Sequence, residues 1–259
     1  MDIITKKRSI IRYYDNGRKV KLEDLLIDEK CLKIILDGRD FVNVVVYPSL
    51  LEEFILGFFI TRRIISGPSD IISIEIDDGV ARVERISKLR EEWPSLDLLE
   101  TTGSRNINIM GAVNQLEAED GDRFKVSDST IRKGVKMLAE MPVFKSTGGT
   151  HCAILFTKEG SKVASAEDIG RHNSVDKVIG GGIKKAAKFS QCWLAVSGRL
   201  PADMVIKPAL VGIPIIASVS APTSTGVDTA ERTGMTLIGF TRDGRFNCYS
   251  HPGRIEQNS

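Results

Sequence analysis

The sequence predicts an α/β protein. A larger domain has helices on both faces of a mixed, mostly parallel sheet, and a smaller N-terminal α+β lobe precedes it. In the second half of the chain, nearly continuous apolar segments at 192–197 and 213–219 alternate with helix-like segments, as buried parallel strands do. In the first third, short β-prone segments surround one helix-like segment. A chain of 259 residues can hold one large or two modest domains.

The N-terminal lobe, residues 1–126, is predicted to contain three hairpins and one helix. Turn-forming residues at 15–17, 37–40 and 77–79 each separate two β-prone segments. The apolar residues of the predicted helix recur with the spacing of one helix face: Leu51, Phe54, Ile55, Phe58 and Phe59. From 87 to 126 no period is clear, so we predict a loop that connects the two lobes.

The C-terminal domain, residues 127–259, is predicted to alternate helices with strands. The predicted order is helix 129–141, strands 151–157 and 162–166, a helix from Ser174, strand 192–197, a helix from Pro201, strand 213–219, helix 223–233, and strands 235–241 and 245–250. Gly180-Gly181-Gly182 is predicted to break or kink the helix that starts at Ser174.

Composition and charge exclude several classes of protein. A net charge of +2 gives no global field for nucleic acid or an anionic membrane. The four cysteines have no C-x-x-C spacing, which argues against a zinc knuckle and fits reduced thiols. The longest apolar segment, Phe54 to Ile60, is far shorter than the ~20 residues that span a bilayer. We therefore expect a cytoplasmic protein that binds neither nucleic acid nor membrane.

Residues 167–180, EDIGRHNSVDKVIG, concentrate polar side chains between a predicted strand and a predicted helix. A loop gains little folding stability from so many polar groups, and loops on a rigid scaffold commonly carry binding sites. We therefore predict a ligand-binding loop, with Arg171 and His172 as ligand contacts. The alternative is an ion pair between Asp168 and Arg171 that only fixes the loop.

Three predicted strands end in segments rich in hydroxyl groups and arginines. Ligands of open α/β sheets bind outside the carboxyl ends of parallel strands, where such groups and helix N-termini suit phosphate oxygens. The predicted contacts are Ser197, Arg199, Ser220, Thr223, Thr241, Arg242, Asp243, Gly244 and Arg245. The alternatives are solvated charges at Arg199 and Arg242, and a plain helix cap at 220–225.

Other catalytic classes lack their motifs in this chain. A zinc deaminase needs H-x-E and P-C-x-x-C to hold its metal, and neither is present. The glycine-rich phosphate loops of P-loop and Rossmann proteins are also missing. A nucleophile elbow of the G-x-S-x-G type does not occur. We expect no zinc and no other resident metal.

Several motifs in the same order resemble the formate dehydrogenase accessory proteins, the FdhD/NarQ family. They are LLEEFILGFFITRRII (50–65), TGGTH (147–151), EDIGRHNSVDKVIG (167–180), SGR with the following Lys207 (197–207), GIPIIASVSAPTS (212–224) and MTLIGF (235–240). The match covers most of the chain, and the occurrence of several motifs in the right order makes the resemblance specific.

The resemblance implies a cytidine-deaminase-like three-layer core without its zinc. It also implies a homodimer that helps to mature the cofactor of formate dehydrogenase, a molybdenum bis-molybdopterin guanine dinucleotide. Members similar to this chain are thought to receive sulfur from a cysteine desulfurase as a persulfide and to pass it to the bound cofactor. The family's cofactor contacts correspond here to Phe240, Thr241, Arg242, Asp243, Gly244 and Arg245.

One departure from the family pattern affects the sulfur chemistry. The family carries sulfur on a C-G-x-C-G loop, which maps here to Ile107–Met110 within TTGSRNINIMGAV (101–113), a stretch without cysteine. A methionine thioether cannot carry a persulfide. Cys152 is the nearest candidate to replace the missing thiol, and plain buried packing is the alternative for it. Two hypotheses follow: a sulfurtransferase that uses an unorthodox thiol, or a non-catalytic protein that binds and delivers the cofactor.

Overall fold

The computed structural model describes residues 4–86 and 124–257. The first range contains β1 (Thr5–Tyr13), β2 (Lys19–Ile27), β3 (Lys30–Leu36), β4 (Arg39–Val46), α1 (Leu51–Ile60), β5 (Ile71–Asp77) and β6 (Val80–Arg85), with a 3₁₀ turn at Pro68–Asp70. The pairs β1–β2, β3–β4 and β5–β6 are antiparallel, which confirms the three predicted hairpins. The strand order β4-β3-β6-β5 forms one sheet, and the apolar residues of α1 pack on it.

The second range contains the larger sheet. Its elements are β7 (Val126–Ser127), α2 (Asp128–Lys136), α3 (Pro142–Thr147), β8 (His151–Thr157), β9 (Lys162–Asp168), α4 (Arg171–Lys184), β10 (Cys192–Val196), α5 (Ala202–Leu210), β11 (Ile215–Ser218), α6 (Ser224–Arg232), β12 (Thr236–Arg242), β13 (Arg245–Ser250) and β14 (Ile255–Glu256), with 3₁₀ turns at Met137–Glu140, Phe189–Gln191 and Pro252–Arg254. The predicted element order is confirmed, except that the short helix α3 and the two-residue strands β7 and β14 are additional.

The larger sheet has the strand order β13-β12-β11-β10-β8-β9. The pairs β10–β11 and β11–β12 are parallel, and the other three pairs are antiparallel. Strands β9 to β12 therefore share one direction, while β8 and β13 run the opposite way. This arrangement confirms the predicted mixed sheet, in which four of the six strands run in one direction and two of the five pairs are parallel.

Helices cover both faces of this sheet. On one face, Val178 of α4, Val205 of α5 and Ala230 of α6 share a core with the strands. On the other face, Ile131 and Val135 of α2 share a second core with the strands. The predicted three-layer arrangement is confirmed.

The helices α1 and α4 pack against each other without side chains between them at two points. A Cβ atom added at Gly180 would overlap the backbone carbonyl of Glu53, and one added at Gly57 would overlap that of Asp176. Glu53 of α1 contacts Gly180 of α4, and Gly57 of α1 contacts Asp176 of α4. The residue numbers rise in one helix as they fall in the other, so the two helices are antiparallel. The α4 helix also continues through residues 180–182, so the predicted break at the three glycines is wrong.

The predicted connecting loop, 87–126, lies almost entirely outside the described residues, and so does the stretch 101–113 with Ile107–Met110. The division of the chain at residue 126 stays a prediction. In the parts of the chain that the structure describes, none of the helices combines the length and apolarity needed to cross a membrane.

Candidate functional site

The motif 167–180 is a strand end followed directly by a helix. Strand β9 ends at Asp168 and α4 begins at Arg171, three residues earlier than predicted. Glu167, Asp168 and His172 are all buried. The predicted loop is therefore wrong: secondary structure continues through nearly the whole motif, and its polar groups point into the protein.

Asp168 is the centre of a buried polar cluster that includes Tyr47 from the first described range. Its Oδ2 lies 2.6 Å from Lys177 Nζ and accepts a hydrogen bond from Tyr47 N at 3.1 Å. Its Oδ1 accepts from Gly170 N and from Asn173 Nδ2, at 2.9 and 3.0 Å. Lys177 Nζ donates to Tyr47 O at 2.7 Å. The Asp168 carboxylate therefore pairs with Lys177 rather than with Arg171.

Asp176 is the centre of a second buried cluster, which includes Thr61 and Arg62 from the first described range. Its Oδ2 lies 2.6 Å from Lys207 Nζ and 3.2 Å from Arg62 Nη1, and its Oδ1 accepts from Thr61 Oγ1 at 2.8 Å. Asp176 and Lys207 are completely buried. Burial lowers the pKa of Lys207 to about 8, although Asp176 favours its charged form.

These partners account for most polar groups of the motif. The Glu167 carboxylate accepts from Val143 N and Phe144 N, at 3.0 and 2.6 Å, and so holds the start of α3. Glu167, Asp168, Asn173, Asp176 and Lys177 all have structural partners. Of the predicted ligand contacts in the motif, Arg171 Nε and both ring nitrogens of His172 have no hydrogen-bond partner among the described residues.

His172 lies in the first turn of α4 and faces Asp203 in the first turn of α5. Its Nε2 is 3.5 Å from Asp203 Oδ2, beyond the usual hydrogen-bond distance. Neither ring nitrogen of His172 has a hydrogen-bond partner among the described residues, and the same is true of Asp203 Oδ1 and Arg171 Nε. Burial, followed by the charges of Lys207 and Arg171, lowers the pKa of His172 to about 2. The imidazole is therefore neutral at pH 7.

Because the folded state keeps His172 neutral, stability should fall in mild acid. Below pH 6.5 the unfolded chain takes up a proton that the folded protein does not, so the free energy of unfolding decreases as pH falls. Between pH 7 and pH 5 we expect a loss of about 2 kcal/mol from this residue. Urea unfolding at several pH values measures it. His172→Gln should flatten the slope, and an unchanged slope would contradict the assignment.

Cys152 is buried at the start of β8, beside Ser197 and Glu167. Its N–H donates to Ser197 Oγ at 2.9 Å, and its thiol lies 3.8 Å from Glu167 Oε1. Burial and the Glu167 carboxylate raise the pKa of the Cys152 thiol to about 12. Such a thiol stays protonated at neutral pH, whereas the thiolate is the form that attacks sulfur. The packing interpretation of Cys152 is therefore the better one.

The loop after β10 brings Ser197 and Gly198 next to the start of α4. Ser197 Oγ lies 3.2 Å from His151 Nδ1. A Cβ atom at Gly198 would lie 2.9 Å from Arg171 Cβ, so the side chain of Arg171 rests on this loop. Arg199 is exposed. The structure thus places Arg171 against the loop that contains Ser197, while His172 faces Asp203.

The loop after β11 has a mainly structural arrangement. Thr223 Oγ1 accepts from Gly226 N at 3.1 Å and caps α6, which is the alternative considered for this segment. The backbone carbonyl of Ser220 accepts from Phe240 N at 3.0 Å. Ser220 therefore holds the end of β12 through its backbone.

The end of β12 has a strained backbone and two exposed arginines. Phe240 has φ 53°, which is rare for an aromatic residue and is usually found where surrounding contacts enforce it. Asp243 and Gly244 both have positive φ and form the turn to β13. Arg242 and Arg245 face each other across this turn, and the Arg242 guanidinium lies 5.6 Å from the Phe240 ring centre. Two like charges held opposite each other suit an anionic ligand.

The predicted residues therefore lie at the carboxyl ends of β9, β10, β11 and β12, with Ser220 and Thr223 following β11. Arg171, His172 and Ser197 lie at the ends of β9 and β10, and residues 240–245 lie at the end of β12. One strand, β11, separates β10 from β12, so the ends of these two strands are about 10 Å apart at the level of the sheet. Asp203 was not predicted, because nothing in the sequence next to it indicates that it faces His172.

The comparisons with known proteins agree with this fold. The model of the FdhD/NarQ family matches residues 27–256. The chain belongs to this family. A relative from Methanothermobacter thermautotrophicus, named Sulfur carrier protein FdhD, is 34% identical over 257 residues, which cover 96% of this chain and 98% of the relative. A relative of the same name from Sulfolobus acidocaldarius is 34% identical over 243 residues, covering 93% and 95%.

A solved structure of the family has the same fold. It comes from Desulfotalea psychrophila and is described, provisionally, as a formate dehydrogenase accessory protein. It superposes with a TM-score of 0.81 at 26% identity, covering 98% of this chain and all of the other. The resemblance found in the motifs is thus confirmed at the level of family and fold.

Proposed function

We propose that this protein is an accessory protein of formate dehydrogenase that holds the molybdenum bis-molybdopterin guanine dinucleotide as cargo. The observation that carries the proposal is the strained turn at 240–245, where Arg242 and Arg245 face each other at the carboxyl end of a parallel strand. The family relatives support the link to formate dehydrogenase. In this proposal the two arginines contact the diphosphate of a guanine nucleotide moiety.

Guanosine diphosphate provides a direct test, because it carries the same diphosphate and base. Replacing Arg242 and Arg245 together with Ala should weaken its binding by about 2–4 kcal/mol, since each charge-assisted contact contributes roughly 1–2 kcal/mol. Calorimetry measures the change. A matched control replaces Lys133 and Lys136, two exposed lysines on α2, and should leave the affinity unaltered. Equal affinities of the two double variants for guanosine diphosphate would show that Arg242 and Arg245 do not contact the nucleotide.

The proposed protein holds and delivers its cargo without forming a persulfide on its own cysteines. The stretch 101–113 has no cysteine, and the Cys152 thiol stays protonated. Burial also raises the pKa of the Cys192 and Cys248 thiols. Sulfur donated by a cysteine desulfurase therefore has no activated thiol among these three cysteines.

Sulfur transfer is the second candidate function, because the relatives are named sulfur carriers. Incubation with a cysteine desulfurase and cysteine, followed by intact-mass measurement, separates the two. We expect no one-sulfur adduct. An adduct that disappears in Cys152→Ala would support transfer through Cys152. An adduct that disappears in Cys31→Ala, the exposed cysteine, would equally overturn the carrier-only proposal.

A further inference from the structure

The first two strands form a ribbon that no third strand joins among the described residues. Strands β1 and β2 pair in an antiparallel register, and we call residues 5–27 the arm. At one end of the arm, Ile4 N donates to Tyr47 Oη at 2.8 Å. Because each strand has nine residues, the arm is about 30 Å long. An isolated two-stranded hairpin is only marginally stable in water, so a third strand would stabilise the arm.

The outer edge of β1 presents backbone groups that β2 does not use. Each strand of an antiparallel pair directs half of its backbone N–H and C=O groups away from its partner. In the part of the chain that the structure describes, β2 is the one strand that pairs with β1. Of the nine residues of β1, all but Thr5 and Ile10 are exposed. This edge is therefore open to the backbone of another extended chain.

The arm is more basic than the chain as a whole. Residues 5–27 hold seven Lys or Arg and three Asp or Glu, a net charge of +4 compared with +2 for the whole chain. Arg8 and Arg12 lie on one face of β1, are exposed, and have no ion-pair partner among the described residues. Asp24 lies opposite Arg8 on β2, but its Oδ1 accepts from Leu25 N at 3.0 Å. A neighbouring strand with carboxylates on this face is complementary, since opposite charges on adjacent strands attract.

The opposite face of β1 exposes apolar side chains near the end of the strand. Ile11 is 56% exposed and Tyr13 is 66% exposed. Five of the eight exposed large apolar side chains of the described residues lie in or beside the arm: Ile4, Ile11, Tyr13, Tyr14 and Leu26. Tyr and Arg are enriched where proteins bind each other. The segment that fits β1 therefore alternates acidic residues with apolar ones.

We propose that the outer edge of β1 binds an extended acidic segment of a partner protein, which adds a third strand to the arm. The carboxylates of the segment lie beside Arg8 and Arg12, and its apolar side chains lie beside Ile11 and Tyr13. Basic side chains on an open edge discourage pairing with a second copy of the same edge. A nucleic acid or an anionic lipid surface offers charge, but it has no alternating backbone N–H and C=O groups to pair with β1. The inference goes beyond the proposed function and does not use the cargo site.

The test uses a fluorescein-labelled peptide of alternating Glu and Val, of the same length as β1, and fluorescence anisotropy with the full chain. Arg8→Glu together with Arg12→Glu should weaken binding by about tenfold or more, because two attractive cross-strand pairs become repulsive. Lys133→Glu together with Lys136→Glu on α2 changes the net charge equally at another exposed surface and should stay within about twofold of the wild type. A peptide of alternating Glu and Pro has the same charge but fewer backbone donors, so it should bind about tenfold more weakly or worse.

Hydrogen exchange then locates the bound peptide. It should slow exchange of the β1 amides that point away from β2, while the outward amides of β2 exchange as before. If the double arginine variant melts at a lower temperature than the wild type, Arg8→Ser with Arg12→Ser replaces it in the same comparison.

Several results would overturn the proposal. They are equal binding of the two peptides, undiminished binding by the arginine variant, and no binding of the Glu–Val peptide. Tighter binding of a DNA duplex or of phosphatidylglycerol vesicles would assign the arm to a polyanion instead. Dissociation of a dimer by the arginine changes, measured by sedimentation, would assign it to a second copy. Guanosine diphosphate binding through Arg242 and Arg245 is measured separately, so the proposed function stands or falls independently.

Discussion

Replacing Gly180 with Ala should destabilise the protein by about 3 kcal/mol or more, although it adds a single methyl group. The added Cβ would overlap the backbone carbonyl of Glu53, and a backbone atom cannot turn away as a flexible side chain can. The helices α1 and α4 would have to separate along their whole contact. Urea unfolding followed by circular dichroism measures the change in the free energy of unfolding.

Gly181→Ala is the matched control for this variant. Gly181 is the next residue of the same helix, so both changes gain the same helix propensity, about 1 kcal/mol. A Cβ at Gly181 would lie 3.3 Å from the Ala164 side chain and 4.0 Å from Glu53 Cγ, which small shifts can accommodate. We expect this variant to stay within about 1 kcal/mol of the wild type. Equal stabilities of the two alanine variants would show that the close helix contact does not matter.

Local patterns were sufficient to predict most strands and helices. The three hairpins have strong turn residues between β-prone segments, and the buried strands are apolar over 192–196 and 215–217. The predicted helix break at the three glycines, 180–182, was wrong. It rested on the low intrinsic helix propensity of glycine. Tertiary packing overrides propensity here, since a larger residue at 180 would keep α1 away.

The polar motif at 167–180 was recognised as unusual, but its main role was not predictable from its own residues. Its buried carboxylates pair with Lys177 and Lys207, and also with Tyr47, Thr61 and Arg62 from the first described range. Those three contacts lie 114 to 121 positions away in the chain. A single sequence shows that such charges exist, and only the fold shows which of them meet. Asp203 was missed for the same reason.

Replacing Asp176 with Asn should cost about 3–5 kcal/mol of stability at neutral pH. The amide preserves the shape of the side chain and can still accept from Thr61, yet it removes the negative charge that Lys207 and Arg62 share. Breaking a buried ion pair by removing one partner leaves an uncompensated charge, which is the expensive case. Denaturant unfolding of the variant, at a fixed pH near 7, measures the loss.

A second substitution tests whether buried charge is the cause. Lys207→Met in the Asp176→Asn background removes one of the two uncompensated cations, so part of the lost stability should return. Glu52→Gln, which breaks the exposed pair with Lys184, removes the same type of charge at the surface and should cost less than about 1 kcal/mol. If the double variant is no more stable than Asp176→Asn, the loss comes from the hydrogen bonds between the lobes rather than from unpaired charge. The Asp176 side chain would then stabilise the protein mainly through well-placed hydrogen bonds rather than through its charge. The close contact between Gly57 and the Asp176 backbone likewise involves no charge.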